Sequence, residues 1–443
     1  MLQKPFQRAI RGRLFWFVDD PETAGARAYR YLDDGLMIIR NGLITAIGEA
    51  VVMERHLPPG IEVIDAGTRL VMPGFIDTHL HIPQTQVIAS YGAQLIDWLN
   101  RYTFVEEQRY ANPAHARKGA SFLLDTLLRH GTTTAVAFGS VHPGSVEAFL
   151  SESDRRNTRM IAGKVMMDRN APEALLDTAQ TGFDETRALI QHWHGHGRQL
   201  CAIAPRFAIT SSPAQLEAAG ALAREFPDCH VETHLSENHA EIALVRDLYP
   251  DALDYTDVYD RFGLLGPKSL FGHCVHLSAR ERARLAETSS VAVHCPTSNL
   301  FLGSGLFDRQ ACREAGLRIG FATDIGAGTS YSMLQTLNEA YKIQQLQGRS
   351  LSPLAAFHAI TLGNAAALGL EREIGSFALG READFILLDA RATPEMAHRM
   401  ERAHSLEDEL FILMTLGDDR AISATYVMGE KADVAIRRTA YAP

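Results

Sequence analysis

Eight short apolar runs recur through the middle of this chain, each followed by a stretch of helical periodicity. That alternation limits the fold more than any other feature. The runs span 70–76, 133–138, 159–167, 200–204, 230–233, 269–272, 291–294 and 318–322, with amphipathic stretches such as 114–129, 213–225 and 278–286 between them. A strand that is apolar on both faces belongs to a buried parallel sheet. Eight strand–helix units over about 300 residues predict an α/β fold built on a (β/α)₈ TIM-like barrel.

The chain ends read differently. Residues 35–40 and 43–47 flank Asn41-Gly42. This pair favours a type I′ hairpin, because both central positions of that turn need positive φ. A short strand at 62–64 and two more at 385–388 and 424–428, with an acidic helix-like stretch between the last two, complete a small β domain. The expected organisation is a composite β-sandwich from residues 1–70 and 371–443, with the catalytic barrel, 71–370, inserted between. Residues 394–406 read as a mobile surface segment.

Composition narrows the class. Hydrophobic residues are 46% and charged residues 22%, and net charge is −10. These values exclude a disordered or fibrous chain, and they leave no general electrostatic footprint for nucleic acid or anionic membrane. No apolar run reaches the ~18 residues of a membrane span. Lys4, Arg8, Arg11 and Arg13 precede an apolar stretch, but it covers only 14–18 and ends at Asp19-Asp20, too short for a secretory leader. The five cysteines, 201, 229, 274, 295 and 312, include no C-x-x-C pair; reduced thiols in a cytoplasmic protein are expected.

The chemistry-bearing residues sit at strand ends. With 18 histidines in the chain, an H-x-H pair alone is weak evidence for metal. His79-Leu80-His81, however, closes an apolar strand, where residues i and i+2 share a side, at the rim where barrels build active sites. His192-Trp193-His194-Gly195-His196 is denser, but it ends a helical stretch beside Gly195 and Gly197 and reads as a surface helix terminus. His234 closes the fifth run, with Glu237 three residues on; His273 closes the sixth and Asp324 the eighth. Strands 1, 5, 6 and 8 thus present N and O donors on one rim, a set suited to zinc or a similar metal.

Those positions, with Pro73-Gly74-Phe75-Ile76-Asp77-Thr78-His79-Leu80-His81, Thr323-Asp324 and Gly380-Arg381-Glu382-Ala383-Asp384, resemble the amidohydrolase superfamily over nearly the whole chain. Binuclear members carry a carboxylated lysine on the fourth strand. Here that strand ends Ala204-Pro205-Arg206-Phe207, and Lys164 is on the third run. The resemblance therefore implies one metal, Zn²⁺ or alternatively Fe²⁺, on His79, His81, His234 and Asp324, as in the deaminase branch. The finer resemblance, through His81-Ile82-Pro83-Gln84, residues 91–104, Pro205-Arg206-Phe207-Ala208 and 323–334, is to the guanine deaminase family. It implies guanine as the substrate, deaminated in purine salvage or catabolism, and a homodimer. Gln84, Arg206 and Phe207, with His234 and Glu237, would bind the base. Glu237, His273 and Asp324 would be catalytic. Arginine only donates, so it suits a carbonyl oxygen; Gln84 suits a mixed edge, and Phe207 a flat ring face. A structural salt bridge is the other reading of Arg206.

Alternatives remain at this stage. The same branch acts on pterins, triazines or cytosine, and a non-catalytic barrel would need no metal. His239-Ala240-Glu241 matches half of another zinc deaminase signature, H-x-E with P-C-x-x-C, but the C-x-x-C is missing. Residues 90–104 are read as either a lid or a packed helix or dimer contact.

Overall fold

The computed structural model describes residues 7–91 and 95–433. Lys4, in the basic N-terminal run, lies outside these residues, as do positions 92–94 of the 90–104 segment. Sixteen strands form two sheets among the described residues. The first sheet takes β1 (Gln7–Phe17), β2 (Tyr29–Arg40), β3 (Leu43–Glu49) and β4 (Glu62–Pro73) from one end of the chain. From the other end it takes β14 (Phe385–Leu388), β15 (Ile422–Val427) and β16 (Glu430–Lys431). Its order is β16-β15-β14-β4-β1-β2-β3. The Asn41-Gly42 hairpin forms as read: φ is 49° and 81°, and Arg40 pairs with Leu43.

Alternation along these strands explains why both faces are apolar. Phe15, Phe17, Leu70, Met72, Ile386 and Leu388 face helices of the barrel layer. Leu14, Trp16, Val71, Phe385 and Leu387 face the other way and join Met37, Ile39 and Ile44 in a second core. A run of residues with period 2 and apolar side chains at every position serves two cores at once. The apolar 14–18 stretch is thus mostly buried strand.

The second sheet is the barrel. β5 (Phe75–His81), β6 (Thr132–Phe138), β7 (Arg159–Gly163), β9 (Leu200–Pro205), β10 (His230–Leu235), β11 (Ser269–His273), β12 (Val291–His294) and β13 (Arg318–Phe321) run in order. All the pairings within it are parallel. The short β8 (Val165–Met166) also pairs with β9, so the third run is broken at Lys164. The intervening helices carry the expected signals. Pro113–Arg129 opens with Pro at its first position, and the Asn112 side chain accepts the Ala114 and His115 N–H groups.

No strand ladder joins β13 to β5; the seam is closed by other means. The buried Asn364 amide donates to the Ile76 and Phe321 carbonyls at 2.7 and 2.8 Å and accepts the Phe321 N–H at 2.9 Å. Further up, Asp324 N–H donates to the His79 carbonyl at 3.0 Å and His81 N–H to the Ile325 carbonyl at 2.6 Å.

Two readings change. The 70–76 run is not one barrel strand: its first half ends β4 and its second half begins β5, with Gly74 between them. Residues 394–406 are not a loose segment, because Pro394–Met400 is a helix capped by Thr393, with Met396 buried. The 380–384 motif acts at the base of the barrel. Glu382 accepts from Arg159 and Arg198, and Asp384 accepts from Arg198, which ties the first sheet to the barrel.

A Cβ at Gly74 would lie 2.2 Å from Thr133 Oγ1 and 2.6 Å from its Cγ2, and Thr133 is itself buried. Gly74→Ala is expected to lower stability by about 1–3 kcal/mol, read as a reduced midpoint in urea with an unchanged slope.

Candidate metal and substrate site

The C-terminal rim of the barrel gathers the strand-end residues into one buried cluster. His79 and His81 project from β5 on the same side, two residues apart; His234 comes from β10, His273 from the end of β11, and Asp324 from the turn after β13. His79 Nε2 and His81 Nε2 each lie 3.3 Å from Asp324 Oδ1. His234 Nε2 lies 3.3 Å from His81 Nε2. His79, His81 and His234 form one group able to hold a metal ion, and His79, His273 and Asp324 form another that overlaps it.

The donors fit a metal in their protonation as well as their placement. The His234 Nδ1–H donates to the Arg206 carbonyl at 2.7 Å. That assigns the proton to Nδ1 and leaves the Nε2 lone pair facing the cluster. His79 Nε2 has no hydrogen-bond partner although it is buried. Burial pushes the His81 pKa down to about 3 and the His273 pKa to about 4, and it holds His234 well below the imidazole range, so these rings are neutral. Burial by itself would raise Asp324, but the His79, His81 and His273 rings around it outweigh burial and keep this carboxyl well below its usual range. Neutral imidazoles beside an ionised carboxylate are what a divalent ion needs.

His273 and Asp324 both have left-handed backbone, with φ of 72° and 53°. Non-glycine residues there cost about 1–3 kcal/mol each and persist where surrounding contacts over-determine them. Asp77 is one such contact. It is fully buried, and it accepts from the Thr323 N–H at 3.1 Å, the Thr323 hydroxyl and the His79 N–H at 3.3 Å.

Glu237 faces this cluster from the turn after β10. Its Oε2 is 3.3 Å from His273 Nε2 and its Oε1 accepts from Ser304 Oγ at 2.8 Å. Asn299 Nδ2 donates to His273 Nδ1 at 3.0 Å, which places the His273 proton on Nε2, toward Glu237. Burial, with Glu241 and Asp324 nearby, holds Glu237 well above the usual carboxyl range, opposed by Ser304. The H-x-E at 239–241 proves to be a helix cap: Glu241 Oε2 accepts the N–H groups of Glu237 and Asn238 at 2.8 and 3.0 Å.

A pocket with about 410 Å³ of empty space, part of it open to solvent, adjoins the cluster. Its lining includes His81, Gln84, Arg206, Phe207, His234, Glu237, His273 and Asp324, so most of the residues singled out in the sequence meet here. Leu95, Trp98 and Leu99 close one side; within the described part of 90–104, these side chains are packed and buried. Arg206 is indeed in a salt bridge, with Glu107 at 2.8 Å, and it lines the pocket as well. Gln84 Nε2 donates to Glu107 at 3.0 Å, and its Oε1 accepts the Gly326 N–H at 3.1 Å.

Lys164 takes no part in the cluster. Its ammonium is buried on Asp177 at 2.6 Å, with Glu185 at 3.3 Å. The helix Ala179–Trp193 ends at the histidine-rich 192–196 stretch, and His192 and His196 are exposed. The sequence reading missed Glu107, Asn299 and Ser304. They have no motif of their own, and each reaches its partner across 20 or more residues of chain. Glu241 was more accessible, since Asn238-x-x-Glu241 is a capping-box pattern.

The sequence model of the amidohydrolase family matches residues 70–432. The guanine deaminase of Escherichia coli K12 is 50% identical to this chain over 425 residues, 95% of this chain and 97% of that one. The chain belongs to the guanine deaminase family of amidohydrolases. A solved structure of E. coli guanine deaminase superposes with a TM-score of 0.93 at 48% identity, covering 97% of this chain and 99% of that one. A guanine deaminase structure from C. acetobutylicum, with guanine bound in its active site, superposes with a TM-score of 0.87 at 28% identity, covering 96% and 100%.

Loss of one donor tests the cluster directly. Because removing even an outer hydrogen-bond partner costs about 10–100-fold in metal affinity, His81→Ala is expected to lose at least about 100-fold, measured by competition against a chelating dye.

Proposed function

We infer that this chain catalyses the hydrolytic deamination of guanine, in which guanine and water give xanthine and ammonia. One observation carries the reading: His81, His234, Asp324 and the buried Glu237 carboxyl line one pocket together with Arg206 and Gln84. The guanine deaminase of E. coli, 50% identical over 95% of this chain, supports it.

In this reading His79, His81, His234 and Asp324 hold one divalent ion, zinc first and ferrous iron as the alternative. The engagement of Lys164 with Asp177 supports one ion over two. When bound, the ion supplies Lewis acidity, which brings the pKa of water at this site toward neutrality. Arg206 donates to the 6-oxygen of guanine, Gln84 addresses the adjoining edge, and Phe207 packs on the ring face. Glu237 accepts a proton from the attacking water and delivers it to ring N3, as general base and then acid. His273, with its proton on Nε2, orients the water and stabilises the charge that develops as it adds to C2. Asp324, as a carboxylate, takes the second proton from the oxygen that has added to C2 and passes it to the departing amine. The C2–N bond then breaks, ammonia leaves and the carbonyl of xanthine remains.

Among the described residues no helix is long and apolar enough to cross a membrane. A cytoplasmic homodimer completes the reading. The five cysteines, all buried and unpaired, support a reducing compartment.

Ammonia release from guanine by the metal-loaded protein, with cytosine, adenine and a pterin alongside, tests the assignment. Turnover of guanine with xanthine as product is expected; turnover only of another aminated ring would overturn it. Glu237→Gln should retain the metal and lose about 10²–10⁴ in kcat, and near-wild-type turnover by a metal-replete variant would remove Glu237 from the mechanism. Ser304 donates to Glu237 and holds its pKa down, so Ser304→Ala should raise that pKa. The acid limb of kcat/KM then moves to higher pH by about 0.5–1 unit, the equivalent of one hydrogen bond.

A further inference from the structure

Glu107 touches both groups that face the base edge. It lies on the short helix Phe104–Gln108 and is fully buried. Its two oxygens are 2.9 and 2.8 Å from Arg206 Nη1, and one of them is 3.0 Å from Gln84 Nε2. One turn earlier on the same face, the Phe104 ring lies 5.5 Å from Arg206 Cζ. A single helix therefore grips the guanidinium through a carboxylate and an aromatic ring.

The same carboxylate decides which way the Gln84 amide points. The Gln84 nitrogen faces Glu107 and its oxygen faces the Gly326 N–H. Reversing the amide would set a carbonyl against a carboxylate and an NH₂ against an N–H, losing both bonds. A buried ion pair is poor evidence of stabilisation, because a well-packed apolar pair often does as well. Its position, with one partner on the pocket wall and a second hydrogen bond to another wall residue, points to orientation.

We propose that Glu107 is a positioning residue for substrate recognition, fixing the Arg206 guanidinium and the Gln84 amide in the one arrangement that accepts a 6-oxopurine. It acts through those two side chains and not on the reacting atoms, so its removal weakens binding more than turnover. The proposal rests on the guanine reading above.

The test is Glu107→Gln, with kcat and KM measured for guanine and a competitive inhibition constant for hypoxanthine, which carries the 6-oxygen but has no 2-amino group to lose. A glutamine at 107 keeps one acceptor and turns an NH₂ toward either Arg206 or Gln84, each a donor. KM should rise about 10–100-fold, the worth of one hydrogen bond to a charged group, and hypoxanthine binding should weaken in parallel. The fall in kcat should be less than about threefold. Added to Arg206→Lys, the same change should raise KM by much less than it does alone, because the two act as a unit. Should Glu107→Gln fail to fold, Glu107→Asp carries the same measurements, since it keeps the charge but withdraws it by one methylene. A KM within about twofold of wild type, a loss confined to kcat, or full additivity with Arg206→Lys would overturn the proposal. A wild-type enzyme that turns over no guanine would instead overturn the functional reading itself.

Discussion

Asn364 and Asp77 span the seam between the first and last barrel strands, where no backbone ladder runs. Asn364 holds the lower part with three hydrogen bonds to backbone groups of β5 and β13. Asp77 joins the upper part to Thr323, and Asp324 N–H meets the His79 carbonyl directly above. Three of the four proposed metal ligands, His79, His81 and Asp324, flank this seam. Their separations are set by how it closes, and a shift of one residue along β13 would carry Asp324 away from both imidazoles. The left-handed backbone at His273 and Asp324 belongs with this. Each strand ends in a sharp turn that aims a side chain across the rim, and the buried network around Asp77 keeps the eighth turn in place.

Around that frame the pocket lining combines two sets of groups with opposite electrostatics. One holds neutral imidazoles, an ionised Asp324 and a Glu237 kept far above its usual range by burial. The other holds Arg206, with its charge matched by Glu107. Burial shifts His81, His234 and His273 toward the neutral form, and it raises Glu237 toward the protonated form that can deliver a proton.

Much of this was legible in the chain. The eight apolar runs gave the barrel, Asn41-Gly42 gave the hairpin, and strand-end spacing singled out His79, His81, His234, His273 and Asp324. Local rules govern all of these: period 2, turn chemistry, and the rule that rims carry function. What stayed hidden is non-local. The division of 70–76 at Gly74 follows from which sheet each half joins, and both halves are equally apolar. Glu107, Ser304 and Asn299 are ordinary polar residues whose meaning comes only from what folding places beside them. Met396 anchors the Pro394–Met400 helix within a segment that reads as mobile surface.

The split first sheet also orders events in time. β4 runs between β1 and β14, and β14 lies about 300 residues further along the chain. At about 5–20 residues per second of synthesis, the ribosome takes tens of seconds to deliver β14 after β4. Over that interval the apolar residues 70–73 have an open edge, and an open edge is a template for pairing with another chain. The hairpin of β2 and β3 can form at once on β1, because all its partners have already emerged. The barrel must then grow from a half-built sheet, so the nascent protein depends on protection of one short strand until its last domain arrives.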